Sequence, residues 1–283
     1  MTRLLIVIVI YEELLNNSES YNTLMKALEC PADFNLEIYV HDNSSEKQFD
    51  NGCFQVNGIK HYYFHDSSNV GISKAYNSAE KYAVANNYQW LLFLDQDTTL
   101  PSDLLLHYEQ SMRKNVNIDM FVPLIRIENG SIISPFRNIL NVGVPIKKPI
   151  YGVQPIAKYG VINSALMVTA ASFKSAGGYN ELVKLDFSDM QFVQRYSKRY
   201  VSFFVTPAVC CQNLSTQERD VDRLLKRFEY FCQGARHCHR ESIFDDLTYI
   251  FIVLKRTISL TWSTKSTIFI RKFASYYKHD ITS

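Results

Sequence analysis

Glycine and proline are scarce in this sequence, 10 and 8 residues in 283, and no internal repeat or low-complexity tract is present. An excess of one charge is also missing. A formal net charge of +2 gives no global nucleic-acid signature. No apolar run reaches the roughly 18 residues a membrane span needs. Leu4–Tyr11 is too short for a secretory signal, lacks a small-residue cleavage site, and is read as a first strand. The cysteines, Cys30, Cys53, Cys210, Cys211, Cys232 and Cys238, form no C-x-x-C pair. Neither a disulfide framework nor a zinc knuckle is expected, and a reducing cytosol is the simple inference. Cys232, His237, Cys238 and His239 cluster, but without the second half of a zinc site.

What is present is a core. Hydrophobic residues make up 47% of a chain long enough for one large domain, or one domain with an appendage. The β-branched run Leu4–Glu12 predicts a buried strand. Ser18–Glu29 reads as a helix, Leu36–Ser45 and His61–Asp66 as strands, Asn69–Asn87 as a loop and helix, and Trp90–Leu94 as a strand. This order points to an α/β domain with a mostly parallel sheet. Right-handed crossovers then bring Tyr11-Glu12, Asp42-Asn43 and Asp95-Gln96-Asp97 to one sheet edge. Further on, helix 104–114, strand 119–127, strand 161–169, short helix 171–176 and strand 202–209 are expected, with helices from about 218. The stretch Gly130–Lys158 reads as a long irregular loop bordering the substrate.

The run WLLFLDQDTTLP, Trp90–Pro101, is the most informative. Two carboxylates one residue apart follow a strand buried on both faces, at the edge where open α/β sheets bind ligands. Asp95 and Asp97 offer hard oxygen ligands to Mg²⁺ or Mn²⁺, which can hold a diphosphate. The same residues suit a turn or helix N-cap, with Thr99 and Asp103 marking a helix start. Asp186 and Asp189, in LDFSDMQFVQR, form a second acidic site. Their i, i+3 spacing would place both on one helical face, with Asp189 also suited to capping helix 190–196.

Several motifs occur in an order that resembles the inverting family 2 glycosyltransferases of the GT-A fold, nearest the bacterial rhamnosyltransferase-like branch. They are Tyr11 at the first strand end, HDNSS (His41–Ser45), SNVGISKAYNSAEKYA (Ser68–Ala83), LDQDT (Leu94–Thr98), SFKSAGGYNE (Ser172–Glu181) and LDFSDMQFVQR (Leu185–Arg195). The likeness covers about residues 3–240. It implies a GT-A fold with a donor half at about 1–100, an acceptor half at about 101–217 and a basic helical extension over 218–283. It also implies an inverting transfer from a nucleoside diphosphate sugar. The donor would be dTDP-rhamnose or a UDP-hexose, and the acceptor a lipid-linked oligosaccharide of bacterial O-antigen or capsule synthesis.

In that frame Asp189 is the general base. Tyr11, Asp42, Asn69, Gly71, Lys74, Asn77 and Asp95 bind donor, and Asp186, Ser164 and Arg236 bind acceptor. Asp97 and Asp95, with Gln212, hold Mg²⁺ or Mn²⁺. Asp42 fits a base N–H acceptor and also an Asx turn; Gly71 fits close backbone approach by the donor and also a plain turn. The sequence departs from the family pattern in places. Glu12 replaces an Asn, Gln212-Asn213-Leu214-Ser215 stands where a His is usual, Ala165 replaces a Gly, and Gln191 replaces an acidic residue. A nucleotidyltransferase would need a Gly-rich basic loop after the first strand, where Tyr11-Glu12-Glu13 is acidic. A non-catalytic glycan-binding relative is the other alternative.

The C-terminal segment Tyr249–Lys278 alternates apolar clusters, Ile250–Leu254, with Lys255, Arg256, Lys265, Arg271 and Lys272. Such helices suit an anionic membrane surface, a core-packed helix with a solvated basic face, or a homodimer contact. The expectation is a cytoplasmic protein, peripheral on the inner membrane.

Overall fold

The structure is a computed structural model describing residues 1–139, 142–212, 220–240 and 243–277. β1 (Thr2–Ile10) leads through a 3-10 turn to α1 (Glu19–Ala27) and then β2 (Phe34–Asp42). Ser18 caps α1 by accepting from the Tyr21 backbone N–H at 3.3 Å. β3 (Gly52–Val56) and β4 (Ile59–His65) form a hairpin, followed by α2 (Ile72–Ala85) and β5 (Trp90–Asp95). Strand β3 went unread in the sequence. Asn57 and Gly58, both at positive φ, make the two-residue turn that Asn-Gly favours.

Next come β6 (Thr98–Thr99), α3 (Leu104–Lys114), β7 (Met120–Arg126), β8 (Ile132–Ser134), β9 (Phe136–Ile139), β10 (Val142–Val144), β11 (Gly152–Pro155) and β12 (Tyr159–Gly160). The stretch expected to be an irregular loop over 130–158 therefore contains four short strands. β9, β10 and β12 form a small separate sheet, and β11 extends the main one. The strand expected over 161–169 begins only at β13 (Leu166–Thr169), after a turn in which Ala165 takes φ 57°. α4 (Ala170–Ser175), α5 (Ser188–Tyr196) and β14 (Ser202–Gln212) complete the sheet domain, and α6 (Val221–His237), α7 (Ile243–Thr264) and α8 (Ile268–Tyr277) form a terminal bundle. The expected boundary at 217/218 falls outside the described residues, as do Asn213-Leu214-Ser215 and Lys278.

The main sheet runs β11-β14-β7-β13-β5-β1-β2-β4-β3. Its centre, β5-β1-β2-β4, is parallel, and β13 enters antiparallel between β5 and β7. Helices cover both faces, which is why the central strands are near-continuous apolar runs. Tyr76, Ala79 and Ala83 of α2 pack on one side with Phe173 and Phe192; Leu24, Leu104 and Tyr108 pack on the other. A third cluster joins the terminal bundle, through Phe228, Tyr249, Val253 and Phe269, to Val183 and Phe187 just before α5.

Candidate active site

The parallel register puts the expected carboxylates on one edge. Ile10, at the end of β1, lies opposite Asp42, and Val9 lies opposite Asp95 on the other flank. Adjacent strands are spaced about 4.8 Å apart, so Asp42 and Asp95 bracket β1 at about 10 Å.

Asp95 is held by its surroundings. Its Oδ1 accepts from the Tyr76 hydroxyl at 2.9 Å and its Oδ2 from the Ser164 hydroxyl at 2.5 Å. Burial pushes its carboxyl up to about 6, against those two donors and helped by the nearby charge of Asp97. Ser164, expected to bind acceptor, is thus buried and its hydroxyl is committed to Asp95. Tyr76 was not picked out in the sequence, although it lies within SKAYN on the inward face of α2.

The turn after β5 caps no helix. The N-cap position of α3 belongs to Asp103, which makes no side-chain cap bond, and Thr98–Thr99 pairs with the end of β14. Asp97 accepts from the Gln212 side-chain amide at 3.3 Å, and burial raises its carboxyl while Gln212 and the charge of Arg227 lower it. Gln96 turns the other way, its Oε1 accepting from the Tyr11 backbone N–H at 2.7 Å, which leaves the Tyr11 ring exposed. Ser20, in the first turn of α1, donates to Thr98 O at 2.9 Å and to Asp95 O, clamping the turn. Glu13 is a further acidic neighbour that the sequence reading passed over. Burial raises it first, and the charge of Asp97 adds to the rise.

Among the described residues no group of three or more His, Cys, Asp or Glu is arranged around a common cation position. Asp97, the Gln212 carboxamide and Asp95 nonetheless offer hard oxygen donors at one turn. That set fits Mg²⁺, which commonly takes one or two carboxylates and completes its shell with water and substrate phosphates.

Asp189 lies in the first turn of α5 and accepts from the Met190 backbone N–H at 2.7 Å. It is not the cap. That position belongs to Phe187, a non-glycine residue at φ 74°. Asp186 therefore precedes the helix, and the shared helical face expected for the two carboxylates does not exist. Burial pushes the Asp189 carboxyl up to about 7, the Met190 N–H opposes it, and the charges of Asp95 and Asp186 add to it. The charge of Asp95 thus reaches Asp189, although the two come from elements far apart in sequence.

Asp186 has a buried Oδ2 with no hydrogen-bond partner among the described residues, while its Oδ1 lies 4.0 Å from the Arg227 guanidinium. Burial raises its carboxyl, and Arg227 and Arg256 lower it. Arg227 of α6 therefore acts on both acidic sites. Arg236, the arginine expected to bind acceptor, instead donates to the Tyr276 carbonyl and lies over the Tyr277 ring, within the terminal bundle.

Other expected donor contacts serve the chain itself. Asp42 is fully buried and accepts from Tyr63 OH at 2.6 Å, Gln48 Nε2 at 3.1 Å and Ser44 N at 2.9 Å, so the Asx turn is what forms. Asn77 is spent tying α2 to the Gly-Gly loop: it donates to Tyr179 O and Glu181 Oε1 at 2.9 and 3.0 Å and accepts from Tyr179 N at 2.9 Å. Gly71 is close to the backbone of Lys184 rather than to open space. A Cβ there would stand 2.6 Å from Lys184 O. Asn69 sits in the preceding turn at φ 47°, and Lys74 is exposed on α2, its charge acting on Asp66 and His41. Gln191 is buried, donating to Tyr249 OH at 2.9 Å and accepting from His239 N at 2.7 Å, so it fastens the bundle to α5. A cavity of about 820 Å³ lined by Arg195, Lys198, Arg199 and His239 lies at the far end of α5 and contains none of these carboxylates.

Fold and acidic sites together define a nucleotide-sugar transferase of the GT-A type. The family described as Glycosyl transferase family 2 matches residues 5–154, more than half of the chain, and the chain belongs to that family and is a glycosyltransferase. Similar solved structures include Staphylococcus aureus TarS residues 1–349, at 16% identity over 93% of this chain and 72% of that one, with a TM-score of 0.52. The same protein with UDP matches at 15% identity over 92% and 72%, TM-score 0.53. Its complex with UDP-GlcNAc matches at 14% over 93% and 73%, TM-score 0.52. No curated protein sequence matches the chain.

Proposed function

We propose that this glycosyltransferase moves one sugar from a pyrimidine nucleoside diphosphate sugar to a lipid-linked oligosaccharide by a single inverting displacement. The observation that carries the reading is the pairing of Asp189, poised at about 7, with the separate carboxylates Asp95 and Asp97 on the same sheet edge. A base active near neutral pH serves an acceptor hydroxyl. Asp189 takes the hydroxyl proton as the acceptor oxygen bonds to the anomeric carbon. The bond from that carbon to the diphosphate oxygen breaks, and the nucleoside diphosphate leaves with the electron pair.

Asp97, steadied by the Gln212 amide, and Asp95 beside it would hold Mg²⁺ or Mn²⁺, which when bound supplies positive charge for the diphosphate. Arg227 adds a second cation near Asp97. The exposed Tyr11 ring offers a stacking surface for the base, with Asp42 buttressing the turn beneath it. Asn69, on the turn leading into α2, and Lys74, in its first turn, offer further donor contacts. The TarS complexes with UDP and UDP-GlcNAc support a pyrimidine nucleotide. The motif likeness supports dTDP-rhamnose, with a UDP-hexose next, and an O-antigen or capsule acceptor at the cytoplasmic face of the inner membrane. Among the described residues no helix is long and apolar enough to cross a membrane.

A panel of dTDP- and UDP-sugars, assayed for donor hydrolysis and transfer with Mg²⁺ or Mn²⁺, tests the proposal. Turnover of one donor, lost in Asp189→Asn with nucleotide affinity retained, is the expected result. Turnover retained in Asp189→Asn would remove the base assignment.

A further inference from the structure

The terminal bundle has an outward face that nothing among the described residues covers. Tyr249, Val253, Thr257 and Leu260 turn α7 inward. On the opposite side Phe244, Leu247, Phe251, Leu254, Ile258 and Trp262 follow one another every three or four residues. All are exposed, Phe251 to 63% and Trp262 to 86%. The row is about 27 Å long at the rise of an α-helix. It runs into a groove of about 560 Å³ between α7 and α8, lined by Ile258, Thr261, Trp262, Lys265, Thr267 and Ile270. A contiguous apolar row of this size on a surface marks an interaction site.

Charge selects the occupant. From residue 247 to 277 the sequence has no carboxylate, while Lys255, Lys265 and Arg271 are exposed beside the row. Arg256 acts on Asp186 and Lys272 pairs with Glu229 at 2.5 Å, so those two serve the fold. Asp245 and Asp246 lie in the first turn of α7, where Asp246 pairs with Arg240; a second copy packed in parallel along this row would set Lys255 and Lys265 of both chains at one seam, with no acidic residue from 247 to 277 to meet them. An anionic lipid surface meets apolar row and cations together: side chains enter the headgroup–acyl boundary, and the lysines stay at phosphate level.

We infer that the outward face of α7, continued by the start of α8, docks this glycosyltransferase on an anionic bilayer. The inference deepens the lipid-linked-acceptor reading by naming the surface, but docking stands on the helix face alone. The same helix reaches the cleft from its inner side, through Tyr249 on Gln191 and Arg256 near Asp186. Docking would therefore hold the acceptor half of the site close to the lipid headgroups.

The sequence has 2 tryptophans, and Trp262 is the one on this face while Trp90 belongs to β5. The test titrates the full chain with phosphatidylglycerol–phosphatidylcholine vesicles and with pure phosphatidylcholine vesicles. Expected are a blue shift of tryptophan emission, absent in Trp262→Phe, and co-sedimentation with the anionic vesicles. The double substitution Phe251→Asp/Ile258→Asp should abolish both and leave soluble-donor hydrolysis unchanged. Lys255→Glu/Lys265→Glu should weaken binding at least tenfold. Asp189→Asn should bind vesicles as wild type does, which separates docking from catalysis. The inference is overturned if anionic vesicles leave Trp262 unshifted, or if the aspartate pair binds them undiminished. It also fails if sedimentation equilibrium shows a wild-type dimer that the aspartate pair dissociates.

Discussion

Gln212 donates its side-chain amide to Asp97 Oδ1 across 3.3 Å, and strand register sets the contact, because Gln212 pairs with Thr98 of β6. The family's usual imidazole position is thus filled by a donor that steadies the carboxylate. Gln212→Ala should lower Mg²⁺-dependent affinity for UDP or dTDP by about fivefold, the worth of roughly 1 kcal/mol for one long hydrogen bond. Asp97→Ala removes the charge itself and should cost considerably more. Calorimetric titration of both variants decides; equal losses would mean that Gln212 is itself a ligand.

The pH dependence follows from Asp189. As a base it must be ionised, so kcat should rise with pH and level off above about 7, where burial and the neighbouring carboxylates have moved its carboxyl. Stability moves oppositely. The folded state binds this proton more firmly than the unfolded chain, whose aspartate titrates near 4. Folding is therefore progressively weakened between about pH 4 and pH 7. Asp189→Asn removes that penalty. Its Tm should exceed the wild-type value above pH 7, and the gap should close as pH falls toward 4. Thermal unfolding of both proteins across that range is the measurement, and a gap that widens toward acid would contradict the assignment.

Gly71 links the start of α2 to the loop that precedes α5. At φ 85° and with Lys184 O 2.6 Å from any Cβ, it has neither a permitted conformation nor space for a side chain. Ile72 N also donates to Lys184 O at 2.9 Å, and Ser73 to Val183 O. Gly71→Ala should lose roughly 2–5 kcal/mol, combining left-handed strain with overpacking. Gly130, at φ 81° with nothing near a Cβ, isolates the first effect, and Gly130→Ala should lose only about 1–2 kcal/mol. Urea unfolding of the pair gives the comparison; equal losses would show that the Lys184 contact yields easily.

The parts legible in the sequence are those set by local pattern. Trp90–Leu94 announces a buried strand, its abrupt polar end announces Asp95 and Asp97, and Ser18 announces α1. Asn57-Gly58 carried a hairpin signal as well. The parts that were not legible depend on which face tertiary packing selects. Tyr76 and Asn77 are adjacent on α2, about 100° apart around the helix. The first meets Asp95, while the second meets the Gly-Gly loop. Asp42 ends the expected strand, but Tyr63 from β4, its neighbour only in the folded sheet, takes its carboxylate. Phe187 could not be foreseen at φ 74° because Phe231 and Tyr249 of the terminal bundle pack against it, with ring centroids at 4.7 and 5.8 Å.

Arg227 and Arg236 show the same limit and yield the sharpest comparison. Nine residues apart on α6, they project from opposite sides of the helix. Arg227 faces Asp186 at 4.0 Å and lowers Asp97, whereas Arg236 packs on Tyr276 and Tyr277 of α8. Arg227→Ala should therefore reduce kcat/KM by at least tenfold with little change in Tm, since its side chain is half exposed. It should also push the Asp186 and Asp97 carboxyls further up. Arg236→Ala should instead lower Tm by a few degrees, through about 1 kcal/mol of lost hydrogen bonding and cation–π contact, and leave kcat/KM within about twofold. Measuring both quantities on both variants separates an arginine that serves the reaction from one that serves the bundle. The reverse pattern would return the cleft to Arg236.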